Sequence, residues 1–224
     1  PQCVRGAESI RKLLRWSFAR LCFTDQTDDF CMGTLRRRAQ YFRVHNSPCV
    51  QRPAENRIAH MLVYAKKANL LPLATDIAAI LEEKDPLASQ AGVDLNLRIE
   101  GLRRFRGQVN GAFAYKKIDK VAAQYRKLLA VNPENSPVDP WATGLLLAYA
   151  YPERIAAARP GNNAQFQLAN GKIAQIGHKD DLAYESWLAV AHLDARDGMG
   201  KIWMAAPLNP KDLAPMLKTK EVLE

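Results

Sequence analysis

The side chains in this sequence with the clearest chemistry are positive, and they come in clusters. Arg98, Arg103, Arg104 and Arg106 crowd one stretch, and Lys116, Lys117, Lys120, Arg126 and Lys127 crowd the next. Lys116 and Lys120 are spaced one helical turn apart, so they line one face. Guanidinium and ammonium groups arrayed this way hold phosphates without reading bases. Taken singly, each is also what an ordinary solvated helix face carries. Further on, Arg154, Arg159 and Lys172 lie among the aromatics Phe166, Tyr184, Trp187 and Trp203. Cations interleaved with aromatic rings suit a single-stranded nucleic acid, although most rings in a small β unit belong to its core. The chain of 224 residues carries a formal net charge of +9, which favours polyanionic partners through counterion release. The nucleic-acid-binding candidates are therefore Arg98, Arg103, Arg104, Arg106, Lys116, Lys120, Lys127, Arg154 and Lys172.

Other chemistries find little support. There is no G-x-x-x-x-G-K-[ST] phosphate loop, no Asp-Glu-Ala-His box, no G-x-S-x-G elbow and no H-E-x-x-H motif, so the chain on its own is expected to hydrolyse no ATP. Gly198-Met199-Gly200-Lys201 reads as a turn with one lysine. Glu82-Glu83 and Asp180-Asp181 are sequence neighbours; adjacent residues on a helix point apart, so both pairs read as surface charge and not as an acid/base dyad. His60 reads as a satisfied polar residue on a packed helix. Cys3, Cys22, Cys31 and Cys49 are too widely spaced for a zinc site and read as reduced thiols. No metal or cofactor is expected on this chain. No apolar run nears the ~20 residues that span a bilayer, and no secretory signal opens the chain, so the expected setting is cytoplasmic without a membrane partner.

The elements that must position these residues follow from periodicity. Ile58, Met61, Leu62 and Ala65 share a helical face. Pro72 suits the first turn of a second helix carrying Ile77, Ile80 and Leu81, which ends before Lys84-Asp85-Pro86. Asp94 is a natural N-cap for Leu95–Phe105. The spacing predicts a helix over Tyr115–Leu129 with Ile118, Val121, Ala122, Tyr125, Leu128 and Leu129 inward. Trp141 opens a last helix after the linker Asn132–Pro137. After Tyr151 the signals become β: Arg154–Ala158, Ala164–Leu168, Lys172–Ile176, Trp187–Leu193 and Lys201–Ala205, with Asn170-Gly171 as a two-residue hairpin turn. The fold class expected is α+β, a helical bundle followed by a small OB-like antiparallel β-barrel. Residues 1–54 differ in composition: they are rich in Arg and hold every cysteine. They read either as a separate segment or as a stretch translated out of frame. Ile10–Phe23 there is basic and amphipathic, and Arg36-Arg37-Arg38 is a solvated run. The expected division is 1–54, a helical unit 55–140 and a β unit 141–224.

Several ordered phrases resemble bacterial HrpB-type DEAH-box RNA helicases. They are Arg57-Ile58-Ala59-His60-Met61-Leu62, the run from Asp76 to Leu87, Asp94-Leu95-Asn96-Leu97-Arg98, the Leu-rich helix ending in Ala150-Tyr151-Pro152-Glu153-Arg154-Ile155-Ala156, Gln167–Gly171 and Ala205-Ala206-Pro207-Leu208. The resemblance covers roughly three-quarters of the chain, from about Asn56 onward; the family's His-Pro before the first phrase is replaced by Glu55-Asn56. It implies a ratchet-like helical domain lining a channel for single-stranded RNA, then an OB-like domain. It also implies motor lobes elsewhere in a parent polypeptide, where ATP and Mg²⁺ bind, and a family chain that continues past Glu224. Such a chain would be an accessory region, inactive as an NTP hydrolase alone. The other reading of the same residues is a stand-alone helical scaffold or protein-interaction module with no nucleic-acid role.

Overall fold

The computed structural model describes residues 54–87, 92–107, 113–194 and 199–213. The cysteines, the Ile10–Phe23 segment, Arg36–Arg38 and the C-terminal Lys218–Glu224 lie outside them. Five α-helices precede five strands among the described residues: α1 Ala54–Lys67, α2 Leu71–Glu82, α3 Leu95–Arg106, α4 Phe113–Leu129 and α5 Pro140–Ala150, then β1 Ile155–Arg159, β2 Asn162–Leu168, β3 Ile173–Gln175, β4 Trp187–Asp194 and β5 Gly200–Pro207.

Local chemistry sets the helix ends. Asn69 takes the left-handed conformation after α1, and the Leu70 N–H reaches back to the Ala65 carbonyl at 2.8 Å, satisfying an end carbonyl that the helix leaves free. Pro72 sits in the first turn of α2. Asp94 and Asp139 cap α3 and α5, accepting from Asn96 N at 2.9 Å and from Trp141 N at 3.0 Å. Helix α2 is buried along Leu73–Ile80 without interruption, which makes it the axis of the bundle. Leu128, expected inward, is 40% exposed. The buried face of α4 is drawn round to Arg126, and Leu128 lies about 200° away from Arg126 on the helix.

The strands close into a barrel in the order β1-β2-β3-β5-β4. All neighbours are antiparallel except β3 and β5, which run parallel, with Ala174 opposite Gly200 and Gln175 opposite Lys201. The rest of the barrel is antiparallel, in keeping with the expected OB-like antiparallel barrel. The Asn170-Gly171 turn is longer than expected: β2 ends at Leu168 and β3 begins at Ile173. Only Gly171 has positive φ, at 87°, while the Asn170 carboxamide accepts from Lys172 N at 3.0 Å, making an Asx-type turn. Ala156, Ala164, Phe166, Leu168, Ala174, Leu188, Val190, Ile202 and Ala205 fill the interior, small residues beside large ones as a tight barrel requires. The outer faces of β1, β4 and β5 present Ile155, Ala157, Ala189, Met204 and Ala206 to the core that contains Leu146 and Leu147 of α5. Gly144 allows this contact, since a Cβ there would overlap the Pro207 carbonyl oxygen.

Candidate nucleic-acid interface

The structure sorts the predicted cations into two populations. Arg98, Arg103 and Arg106 of α3 turn inward. Arg98 is 1% exposed; its guanidinium donates to both Asp85 oxygens at 3.2 and 2.9 Å and to the Asp94 and Gly92 carbonyls at 2.7 and 2.9 Å. Arg106 grips Asp76 with two bonds of 3.0 and 2.5 Å and Asp119 with one of 2.6 Å. Arg103 approaches Asp76 at 3.5 Å and donates to the Ser136 carbonyl at 2.5 Å. Arg126 of α4 joins the same group, 3.5 Å from Asp76 and 3.2 Å from Asp119. Asp76 is fully buried on α2, so a single carboxylate ties α2, α3 and α4 together. Burial alone would lower the Arg106 pKa; the hydrogen bonds and charges of Asp76 and Asp119 more than offset it and leave it raised. Planar, forked donors suit this bidentate task better than lysine would.

The second population faces solvent. Arg104 is exposed on the far side of α3 and lines an open cleft of about 300 Å³ with Glu100, Arg103, Asn135, Ser136 and Pro137. On α4, Lys116, Lys120 and Lys127 are exposed and form no ion pair with any described residue, whereas Lys117 meets Glu83 at 2.7 Å. Lys172 is exposed at the β2–β3 turn. Arg154 stands between the two groups. Its guanidinium lies 4.6 Å from the Tyr151 ring centroid and donates to the Ala191 carbonyl, and burial lowers its pKa. Arg57 approaches the same ring at 5.3 Å and pairs with Glu153. The structure thus brings Arg103, Arg106 and Arg126 onto Asp76, keeps Lys116, Lys120 and Lys127 together on α4, and leaves Lys172 on the barrel.

The aromatics divide likewise. Phe166 is in the barrel interior and Trp187 is 9% exposed, both packed as core. Tyr184 and Trp203 are 75% and 47% exposed. His60 behaves as expected of a satisfied polar residue, with Nδ1 2.8 Å from the Tyr149 carbonyl. Asp180 does not behave as surface charge. It is partly buried, accepts from Val93 N at 2.8 Å and from Leu182 N at 3.1 Å, and so ties the entry of α3 to the barrel. Asp76 as a hub was not legible in the sequence, because its arginine partners lie 27, 30 and 50 positions away; Lys201 beside Trp203 follows from alternation along one strand. Among the described residues no group of three or more His, Cys, Asp or Glu side chains is placed to hold a metal, and no helix is long and apolar enough to cross a membrane.

No family model matches the chain. A curated protein, the ATP-dependent RNA helicase HrpB of Escherichia coli strain K12, is 31% identical over 132 residues, 59% of this chain and 14% of that protein. Among solved structures, the E. coli DExH-box NTPase HrpB aligns with a TM-score of 0.56 at 24% identity, over 93% of this chain and 25% of that one. A second structure, of the E. coli DEAH/RHA helicase HrpB, aligns at 0.53 and 24% over 89% of this chain and 25% of that one. The chain therefore spans a small part of the length of the proteins it matches. The curated relative is matched in sequence and the solved structures in fold, so both point to a likeness between this chain and a part of HrpB.

Proposed function

We propose that this chain is the accessory region of an ATP-dependent RNA helicase, holding single-stranded RNA and coupling it to motor lobes carried elsewhere in a longer cytoplasmic polypeptide. The reading rests on the sorting of the cations. The arginines of α3 and α4 that meet Asp76, Asp85 and Asp119 are consumed in holding the fold. Lys116, Lys120 and Lys127 remain together on the solvent face of α4, with Arg104 and Lys172 as further exposed charges. Lysines of this kind act as point charges on phosphates and carry no sequence preference. ATP and Mg²⁺ belong to the motor lobes in this reading, since the chain has no phosphate loop to receive them.

Fluorescein-labelled oligo(U) titrated with the 224-residue chain tests this. Each phosphate contact on a single strand contributes about 0.7 to the slope of log affinity against log salt. Three lysine contacts then predict roughly a 20-fold loss for a roughly fourfold rise in salt. The triple variant Lys116→Ala, Lys120→Ala, Lys127→Ala is expected to bind more weakly with a slope flatter by about 2. Absence of binding at low salt would favour the scaffold reading instead.

A further inference from the structure

We propose that the outer face of the barrel at β5, centred on Trp203 and Lys201, is a stacking site for one unpaired nucleobase of a single strand. This rests on the function proposed above and adds a site on a different element from the α4 lysines.

Trp203 is 47% exposed although β5 is otherwise buried along Ile202 and Met204–Pro207. Its strand neighbours among the described residues are polar and leave it open. Lys201 lies opposite Gln175 of β3 and Asp194 of β4, and Gln175 lies opposite Gln165 of β2. Gln165 in turn accepts from Arg159 at 2.9 Å and reaches the Met199 sulfur at 3.6 Å. The outer surface across β2, β3 and β5 is therefore a run of carboxamides with a cation at either end and one indole. A carboxamide offers both donors and acceptors to a base edge, and the cations suit flanking phosphates. Asp194 is the one acid opposite Lys201, and it is half-buried on β4.

The comparison with Tyr184 decides which exposed ring takes the base. Tyr184 is more exposed, at 75%, yet it closes a turn that contains Asp180 and Asp181 and is followed by Glu185, so phosphates are repelled there. Trp203 instead has the Lys201 ammonium 3.8 Å from its ring centroid. That contact holds the ring in a cationic setting and is weak enough to yield. An exposed cation–π pair corresponds to about 2- to 5-fold in an equilibrium constant, whereas a base stacked on an aromatic ring corresponds to about 5- to 100-fold. A base therefore displaces the ammonium from the ring, and the lysine's flexible stem lets it turn to a neighbouring phosphate.

The experiment measures affinity and salt slope of the full chain for oligo(U) and for an abasic strand of equal length. Trp203→Ala is expected to weaken oligo(U) binding by about 5- to 100-fold, to leave the abasic strand unaffected, and to leave the salt slope unchanged. Trp203→Phe keeps a ring and is expected to retain most of the affinity, which separates stacking from any loss of folding. Lys201→Ala is expected to weaken both strands and flatten the slope by about 0.7. Unchanged oligo(U) affinity in Trp203→Ala overturns the site, as does equal loss on the abasic strand or a phenylalanine variant no better than alanine. If the wild-type chain binds oligo(U) and loses it only with the α4 lysines, this site falls while the proposed function stands; if the wild-type chain binds nothing, both fall.

Discussion

The helical half and the barrel use the same residue type in opposite ways. In the helices, Arg98, Arg103, Arg106 and Arg126 are buried against carboxylates. In the barrel, Arg159, Lys172 and Lys201 are exposed, and the interior is apolar, from Ala156 to Ala205. The difference lies in how each architecture satisfies its backbone. A closed barrel joins every strand to its neighbours by main-chain hydrogen bonds, so the joints between elements need no side-chain bridge. Helices spend their main-chain bonds internally, so side chains must make the joints between them. Asp76 makes one such joint on behalf of three helices. The lesson for function is that an arginine cluster in a helical segment is not by itself a binding surface, because the charges left over after the joints are made are the ones open to a partner.

The strongest way to break that contrast is Asp76→Asn. It preserves shape but leaves Arg103, Arg106 and Arg126 facing a neutral group in the core. Removing one partner of a buried ion pair costs about 3–5 kcal/mol, a large share of the ~5–15 kcal/mol that holds a domain. Urea denaturation followed by circular dichroism is expected to show a loss of this size. The triple α4 lysine variant should stay within about 0.5 kcal/mol of the parent protein. Equal stability of Asp76→Asn and the parent would mean that the buried network is not what joins the helices.

Gly144→Ala sharpens the comparison at the seam between the halves. The added methyl meets the Pro207 carbonyl, so α5 must lift from β5. Overpacking of this kind costs about 1–3 kcal/mol. A thermal melt should show a lowered midpoint for helical and barrel signals together, since Leu146, Leu147, Ala189 and Met204 share one core. A neutral result would show that the seam has slack.

The smallest effect is expected from His192 on β4. Burial lowers its pKa first, the Arg154 charge lowers it further, Asp85 raises it in part and Arg98 lowers it. The unfolded chain, with a histidine near pH 6.5, then binds more protons than the folded one below that pH. Stability from this group is complete above about pH 6.5 and is lost as pH falls through that value toward the depressed folded pKa. His192→Gln should flatten the dependence of the denaturation midpoint on pH in that window, and an unaltered slope would show that His192 does not titrate with folding.

What the sequence determined by itself was local. The caps at Asp94 and Asp139, the left-handed turn at Gly171 and the alternation that sends Phe166 and Leu168 inward each depend on residues a few positions apart, where propensity and steric rules act directly. The ordered phrases shared with HrpB-type helicases were legible for the same reason, as they are read along the chain. Tertiary structure decided the rest. Asp76 finds its arginines 27, 30 and 50 positions away, and the buried face of α4 includes Arg126 while Leu128 is exposed. The parallel β3–β5 pairing alone sets Lys201 beside Gln175. Charge in a sequence has no inside or outside; only packing, which buries an ion where a counter-ion waits and leaves it in water otherwise, separates the cations that hold this fold from those open to a partner.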